Sequence, residues 1–374
     1  MDEHTGCMAP ALPALTAAAR AELPIGALER MPKWLIIVPL AGQWLYLSLR
    51  FGGATVPSAA NPAITAGGLV GEGKLEYLAC MGETARAATA TSVGFTVKHA
   101  ALSGAAAGAA LDAAMAGAAL TYPVIVKPDL GLCGYGVRRI DSAPQLLAYA
   151  RAFPDGETIV LQRYLADEGE AGIFYARDPA SGQGRITGLA LRRFPQVTGD
   201  GRSTVAQLMR ASARAQRLLG RAAHQCAANP EAIPAPGEKV RLSTIGSTRV
   251  GGLYLDGGHL VTPALTAAID AIARDMGEFH FGRFDVRFAS EAALRAGSGF
   301  SIMEVNGAGS EAIEAWDPAT SLRQGFRIIF AKQRLLFEIG AANRRRGCRP
   351  IGLLQLARLN AAQNRLLDAY PPSN

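Results

Sequence analysis

The chain has 374 residues, of which 49% are hydrophobic and 18% charged, and its formal net charge is +7. This composition excludes a disordered chain, and its length allows two or three compact units with their own cores. The basic excess is modest and no basic stripe is interleaved with aromatic residues, which argues against nucleic acid as a partner. The cysteines are odd in number, scattered and without zinc-site spacing, so we expect a reducing, cytoplasmic compartment: Cys7, Cys80, Cys133, Cys226 and Cys348.

The first 74 residues form a leader followed by an apolar and Gly/Pro-rich region. Residues 1–30 lack the regions of a signal peptide, and one helix is predicted near Leu15–Leu23. Residues 34–49 are uncharged but fall short of the ~20 apolar residues that a spanning helix needs. Three interpretations compete for residues 34–51: a strand (Trp34–Val38) and buried helix (Gln43–Phe51) opening a βαβ unit, a helix at the inner membrane surface, or a transmembrane span. The first two are favoured.

A loop dense in Gly, Pro and Asn follows at residues 51–74. It contains Gly68-x-x-x-x-Gly73-Lys74, but Leu75 replaces the hydroxyl residue that a phosphate-binding P-loop needs, so we reject that motif. The polar residues that could contact a substrate here are Ser58, Asn61, Glu72 and Lys74. Beyond the loop we predict a helix over Leu75–Ala90, an extended piece over Gly94–Leu102 and a helix over Leu111–Ala118.

Residues 121–141 predict a hairpin with a glycine-rich turn. The strands are Val124–Val126 and Val137–Ile140, and the turn contains Gly131, Gly134 and Gly136. Glycine permits the backbone to approach a phosphate closely, and Lys127 would reach the phosphates from the first strand. A flexible hairpin with a solvent-exposed lysine is the alternative.

A helix over Ala143–Ala152 precedes a strand, Thr158–Leu161, that runs into a polar segment. That segment contains Gln162, Tyr164 and Leu165 and is typical of one that binds an adenine edge through backbone groups. Strands are predicted next over 169–177, with Glu170 near the start, and over Ile186–Phe194.

Helix and hairpin patterns fill the following stretch. A helix begins near Ser203, and residues 216–238 form a basic helix and a Pro-rich loop. Two short strands, Val240–Thr244 and Val250–Leu255, are predicted as a hairpin. They carry Arg241 and Arg249, which would bind an anionic substrate group or lie on the surface. The remaining helices are predicted over Ala264–Met276, Ile328–Asn343 and Leu353–Leu367.

Residues 281–310 contain two apolar runs, Phe281–Phe288 and Phe300–Val305, that predict strands. Asp285 lies on the first strand. Glu304 and Asn306 lie two residues apart at the second, so their side chains project from one face.

If these strands pair, Asp285, Glu304 and Asn306 supply the hard oxygen ligands that suit Mg²⁺. Arg283 shares a face with Asp285 and would place a positive charge beside the metal, as phosphoryl chemistry requires. A hairpin with solvent-facing polar side chains is the alternative.

The order and spacing of these motifs resemble the ATP-grasp superfamily, nearest to D-alanine–D-alanine ligase and related carboxylate–amine ligases. The motifs are Val126-Lys127-Pro128, the loop Gly131–Gly136, the segment Gln162–Tyr164, Arg283-x-Asp285 and Glu304-x-Asn306. The resemblance implies an α+β fold in which two lobes grip ATP, with a short atypical N-terminal region (1–74). It spans about residues 75–335, with a glycine-loop lobe at about 120–165 and a metal-site lobe at about 166–335. C-terminal helices and a tail would occupy 336–374.

The resemblance also implies roles. Lys127 and the glycine loop would bind the ATP phosphates, residues 161–165 the adenine, and Glu170 the ribose. Asp285, Glu304 and Asn306 would hold Mg²⁺, usually two ions, with Mn²⁺ as a substitute, and Arg283 would stabilise the transferring phosphoryl group. The chain departs from the ligase pattern after Asn306, where Gly-Ala-Gly-Ser310 makes Ser310 a candidate substrate contact. The second phosphate-side lysine of the family has only Lys98 as a nearby match.

The implied activity is ATP-dependent formation of an amide through an acyl phosphate, with ADP and phosphate as products. An ATP-grasp kinase acting on a hydroxyl would use the same metal site. A non-catalytic ATP-binding protein at the membrane surface, anchored by residues 34–51, is a third hypothesis. Small-molecule carboxylate and amine substrates are the expected partners, and a homodimer is a further alternative.

Overall fold

The computed structural model describes residues 25–103, 107–219 and 226–374. The helix predicted near Leu15–Leu23 and part of the basic segment 216–238 therefore lie outside the described residues.

The helices are mostly short and lie between strands. Their bounds are α1 Ala27–Arg30, α2 Lys33–Phe51, α3 Lys74–Cys80, α4 Glu83–Ala87, α5 Ala109–Gly117, α6 Ala143–Ala152, α7 Val205–Ala211, α8 Pro263–Asp275, α9 Glu291–Arg295, α10 Leu322–Arg345 and α11 Leu353–Ala369. Short 3-10 turns join several of them.

The strands are β1 Ser92–Thr96, β2 Val124–Pro128, β3 Arg138–Ile140, β4 Thr158–Arg163, β5 Gly169–Arg177, β6 Gly184–Arg193, β7 Gln196–Thr198, β8 Lys239–Arg241, β9 Leu253–Asp256, β10 Phe281–Phe288 and β11 Phe300–Asn306. Within the described ranges they form a four-stranded sheet (β1-β4-β2-β3), a five-stranded sheet (β11-β10-β5-β6-β9) and the pair β7-β8. Paired strands are antiparallel throughout. Helices on antiparallel sheets confirm the predicted α+β class.

The four-stranded sheet is the smaller lobe. Its predicted hairpin is confirmed, with Val124 opposite Ile140 and Val126 opposite Arg138. Alternate residues of β2 and β4 point into a core with α5 and α6, where Val124, Val126 and Leu161 are almost fully buried. β1 extends this sheet upstream of residue 120, where the sequence set the start of the lobe.

The five-stranded sheet forms the larger lobe and separates an apolar face from a charged one. On β10, Phe284, Val286 and Phe288 pack into a core beneath α8. The intervening residues of β10 point to the opposite face. The predicted helix over Ala264–Met276 is confirmed as α8, and Gly277 ends it with φ +67°. Helix α10 runs without a break through residue 335, where the sequence set a domain boundary.

The predicted strand and helix within residues 34–51 are wrong, because α2 is one helix that includes Pro39. The run Ile36-Ile37-Val38 suggested a strand by its β-branched residues. Tertiary packing outweighs that preference: Gln43 donates from Nε2 to the Phe330 carbonyl of α10 (2.7 Å), and the ring of Trp44 lies 4.9 Å from that of Phe337.

Two further predictions are corrected. The helix over Leu75–Ala90 is two helices, because the Gly82 amide donates to the Asp275 carbonyl and the Asp275 carboxylate accepts from the Ala85 amide, which turns the chain between α3 and α4. The predicted hairpin of residues 240–255 does not form. β8 pairs with β7, and β9 joins the edge of the large sheet beside β6.

Candidate active site

The charged face of the five-stranded sheet brings the predicted metal residues together. Asp285 on β10 lies opposite Glu304 on β11, and Arg283 lies opposite Asn306. Side chains that are directly opposite share one face of an antiparallel pair. On the other neighbouring strand Gly172 faces Asp285, and a Cβ there would lie 2.9 Å from the Arg283 Cδ. Glycine is therefore required at residue 172 for Arg283 to lie flat beside Asp285.

Asp285 is 2% exposed, and both of its carboxylate oxygens accept hydrogen bonds. Its Oδ1 accepts from Arg283 Nε (2.6 Å), and its Oδ2 accepts from Arg283 Nη2 (3.0 Å) and Asn306 Nδ2 (3.1 Å). Arg192 Nη2 lies a further 3.0 Å from Oδ2. Burial alone would raise the pKa of this carboxyl, but the charges of Arg192 and Arg283 outweigh burial and lower it. Asp285 therefore carries a negative charge held between two guanidinium groups.

Arg192 is the residue that sequence reasoning missed. It joins Asp285 to Glu170, whose Oε1 lies 3.2 Å from Arg192 Nη1, while Arg287 Nε lies 3.3 Å from Glu170 Oε2. Glu170, predicted to bind ribose, thus has both oxygens occupied by arginines. The sequence contains a pattern that could have pointed to Arg192. On β6 it lies two and four residues after the small residues Ala190 and Gly188, so all three share the charged face of the sheet.

Lys127 reaches across the cleft between the two sheets. Its Nζ donates to the Met303 carbonyl of β11 (2.9 Å) and to Gln162 Oε1 (3.1 Å). Gln162 Nε2 donates to the same Met303 carbonyl (2.9 Å) and to Ser92 Oγ (3.0 Å). Burial lowers the pKa of Lys127 to about 8, and nearby Glu304 opposes this shift. Two side chains of the small lobe therefore converge on one strand of the large lobe.

The glycine loop after β2 folds over the same cleft. Gly134 and Gly136 have φ of +76° and +70°, a region that favours glycine. A Cβ at Gly131 would lie 3.0 Å from Lys74 Nζ. Arg249 donates from Nε to the Cys133 carbonyl (3.1 Å) and from Nη2 to the Gly134 carbonyl (3.3 Å). Arg249, predicted as a substrate contact, thus contacts the backbone of the loop.

The C-terminal segment also contacts this loop. The Tyr370 hydroxyl donates to the Leu130 carbonyl (2.5 Å), and the Asn374 amide donates to the Val137 carbonyl (3.2 Å). Asn374 in turn accepts from the Thr244 amide of the large lobe (3.2 Å). Residues 370–374 therefore connect the loop to both lobes.

Lys74 lies in the cleft, whereas Lys98, the lysine that the sequence suggested, does not contact it in the described structure. Its Nζ lies 3.4 Å from Glu304 Oε1 and donates to the Asp129 carbonyl (3.2 Å) at the start of the glycine loop. Lys98 is exposed at the end of the small sheet. The rejected P-loop match therefore does contribute its lysine to the cleft, but from the first turn of α3 and beside a carboxylate.

Among the residues that the structure describes, several buried polar atoms have no hydrogen-bond partner. Three of them lie just before α3, on α3 and after β11: Glu72 Oε2, the Tyr77 hydroxyl and the Ser310 hydroxyl. Burial raises the pKa of Glu72 to about 7, against the opposing charge of Lys74. Unpaired buried polar atoms are uncommon in folded proteins, so these three mark a place where a polar ligand would complete the hydrogen bonding.

Other residues singled out from the sequence have contacts within the protein. The Arg139 guanidinium lies 4.7 Å from the ring of Tyr164, and that of Arg241 lies 3.3 Å from the ring of Phe194. Leu165 is half-buried after β4. Asn61 is buried as a structural residue: its Oδ1 accepts from two backbone amides of β10 and the turn before it. Ser58 Oγ accepts from the Ile351 amide.

A divalent cation fits the ligand types of this site. Asp285, Glu304 and the Asn306 amide oxygen are hard ligands on two paired strands, and Mg²⁺ binds through one or two carboxylates with water and phosphate completing its shell. In the described part of the chain no group of three His, Cys, Asp or Glu side chains could hold a metal ion. Because Arg283, Arg192 and Asn306 already occupy the oxygens of Asp285, a cation would have to displace one of these three side chains.

The solved structures similar to this chain include two ligases. A bifunctional glutathione synthetase from Pasteurella multocida has 17% sequence identity and a TM-score of 0.37, covering 73% of this chain and 38% of that chain. D-alanine–D-alanine ligase from Bacillus anthracis has 13% identity and a TM-score of 0.38, covering 73% of this chain and 67% of that chain. No family model matches the sequence, and no curated protein does. The chain is similar in structure to these two ligases. This similarity assigns no residue roles and no substrates, which have to be argued from the contacts described above.

Proposed function

We propose that the protein is an ATP-dependent ligase that activates a carboxylate as an acyl phosphate for attack by an amine. The observation that supports this proposal is that a lysine of the small lobe meets the carboxylate-bearing strand β11 of the large lobe across one cleft. Lys127 of the small sheet reaches β11 at Met303, one residue before Glu304. The lysine proposed to bind phosphate and a carboxylate proposed to bind the metal thus meet across one cleft.

In this proposal Lys127 and the backbone of the glycine loop bind the phosphates. Residues 161–165, at and after the end of β4, face the adenine. Arg283 stabilises the charge on the phosphoryl group as it moves from ATP to the substrate carboxylate. Glu170 orients Arg192 and Arg287, both of which it contacts.

Asp285, Glu304 and Asn306 would hold Mg²⁺, as two ions, with Mn²⁺ as a substitute. The metal supplies neutralisation of phosphate charge when bound. Activation is needed because a carboxylate is a poor electrophile until one oxygen becomes part of a phosphate leaving group. The amine then displaces phosphate and forms the amide, while ADP leaves. Small carboxylate and amine metabolites are the proposed substrates, and Glu72, Tyr77 and Ser310 lie where their polar groups would bind.

The test is phosphate release from Mg·ATP with a panel of amino acids, dipeptides and small carboxylic acids. We expect release only when a carboxylate and an amine are both present, and we expect Glu304→Gln to abolish it. Glu291→Gln, on the exposed first turn of α9, is the matched control and should retain full activity. Stable phosphorylation of a hydroxyl compound in the absence of an amine would contradict this proposal and show that the protein is a kinase.

A further inference from the structure

Helix α2 exposes a continuous apolar face. Trp34, Val38, Leu45 and Leu49 follow one another at spacings of four, seven and four residues, which places them on one side of the helix. They are 63–77% exposed. Further exposed apolar side chains widen this face: Leu35, Ile37 and Tyr46. Between Lys33 and Arg50 the helix has no charged residue. A monomeric protein rarely leaves so large an apolar surface in water without a partner.

The opposite side of α2 is fixed to the protein. Ile36 and Leu47 are buried, and Gln43 and Trp44 contact α10 as described above. Among helices that the structure describes, α2 alone is long and apolar enough to be considered as a membrane span, by length and composition only. A spanning helix would have to give up these contacts with α10, whereas a helix lying flat on a surface keeps them.

Arginines border the apolar face. On α10, Arg323, Arg327, Arg334 and Arg345 are exposed and spaced by four, seven and eleven residues, so they form one stripe along the helix. Helix α10 packs along the length of α2, from the cluster of Ile36 with Phe326 to the Arg344 guanidinium at the Phe51 carbonyl (2.6 Å), so its exposed stripe runs beside the apolar face. Arg334 also pairs with Glu338 on the next turn (2.8 Å).

We propose that the outer face of α2 and the arginine stripe of α10 together bind the surface of a bilayer that contains anionic lipids. The apolar side chains enter the boundary between headgroups and acyl chains, and the arginines bind lipid phosphates. A second copy of the chain is a poorer occupant. A symmetric contact would bring two basic stripes together, and like charges across an interface oppose binding.

The experiment is flotation of the full chain with vesicles of phosphatidylcholine alone or mixed with phosphatidylglycerol. We expect binding to the mixed vesicles, weakened by high salt because the arginine contribution is screened. Ile37→Glu should lower the partition coefficient at least about tenfold, because burial of one such side chain is lost. Arg334→Ala should lower it about fivefold for anionic vesicles only.

Ile233→Glu is the matched control, since Ile233 is 57% exposed in a loop outside α2 and α10, and Ile37 is 59% exposed. It should bind vesicles as the unmodified protein does. The proposal is overturned if Ile37→Glu binds vesicles as well as Ile233→Glu. It is also overturned if the protein forms a dimer without lipid that Ile37→Glu dissociates, because the face would then be a contact between copies. Thermal unfolding and circular dichroism of both variants verify that they are folded.

Discussion

Binding of ATP should take up a proton at Lys127, and the affinity should fall at alkaline pH. Burial lowers the pKa of this lysine to about 8 in the free protein. Bound phosphates favour the charged ammonium and would return its pKa toward the ordinary value of about 10.4. At pH 7 about 90% of the free protein carries the proton, and at pH 9 about 10% does, so the Kd for Mg·ATP should rise about tenfold between these values.

Titration calorimetry in buffers of different ionisation enthalpy measures both quantities. At pH 8 the uptake should be about half a proton for each nucleotide bound, well above the phosphate ionisation near pH 6. Lys127→Arg is the control, because arginine stays charged throughout and its variant should bind with an affinity that does not change with pH. The reasoning is refuted if the unmodified protein binds Mg·ATP equally well at pH 7 and pH 9 without proton uptake.

Three further outcomes are expected. Burial raises the pKa of Glu72 to about 7, so the stability that its neutral form contributes below about pH 4.5 is lost as the pH rises to 7. In urea unfolding, Glu72→Gln should therefore gain about 3 kcal/mol of unfolding free energy relative to the unmodified protein between pH 4.5 and pH 8, and a difference that stays constant with pH would contradict this. Arg192→Met leaves two buried carboxylates with one arginine partner each and should cost about 3–5 kcal/mol of unfolding free energy, part of which Mg²⁺ restores. Equal Mg²⁺ stabilisation of both proteins would count against the metal assignment. Gly134→Ala and Gly136→Ala should each lower the free energy of unfolding by about 1–3 kcal/mol and raise the KM for ATP, because both glycines have positive φ and a Cβ would lie 3.0 and 2.8 Å from a neighbouring side chain. Gly117→Ala is the control: nothing lies near its Cβ, so it should change neither quantity.

The strands of the site were predictable because alternation leaves a clear pattern. On β10 apolar and charged residues alternate from Arg283 to Phe288, and only one register buries the apolar set. The two strands do pair, which was the condition for the predicted cluster, and Asp285 lies opposite Glu304. The hairpin around the glycine loop was predictable for a similar reason, since two short apolar runs flank a run of glycines.

Other features depend on distant partners that a local pattern does not contain. α2 includes a β-branched run and a proline, and it is helical because α10 packs along one side. β8 and β9 are close in sequence but belong to different sheets. Lys74 lies beside Glu304 because the loop of residues 51–74 packs against the large lobe. The distance in sequence between Lys74 and the motifs does not reveal this packing.

The shared contact of Lys127 and Gln162 with the Met303 carbonyl has a consequence for the rate of binding. The cavity beside it measures about 20 Å³, while small-molecule pockets enclose roughly 300–1,000 Å³. If the protein binds ATP as proposed, the nucleotide would enter only when the two sheets separate, and the free protein would be an equilibrium of shut and parted forms. The apparent Kd would equal the intrinsic one divided by the parted fraction. At high ATP concentration the association rate would then reach a ceiling that is set by the rate of parting and is independent of nucleotide concentration.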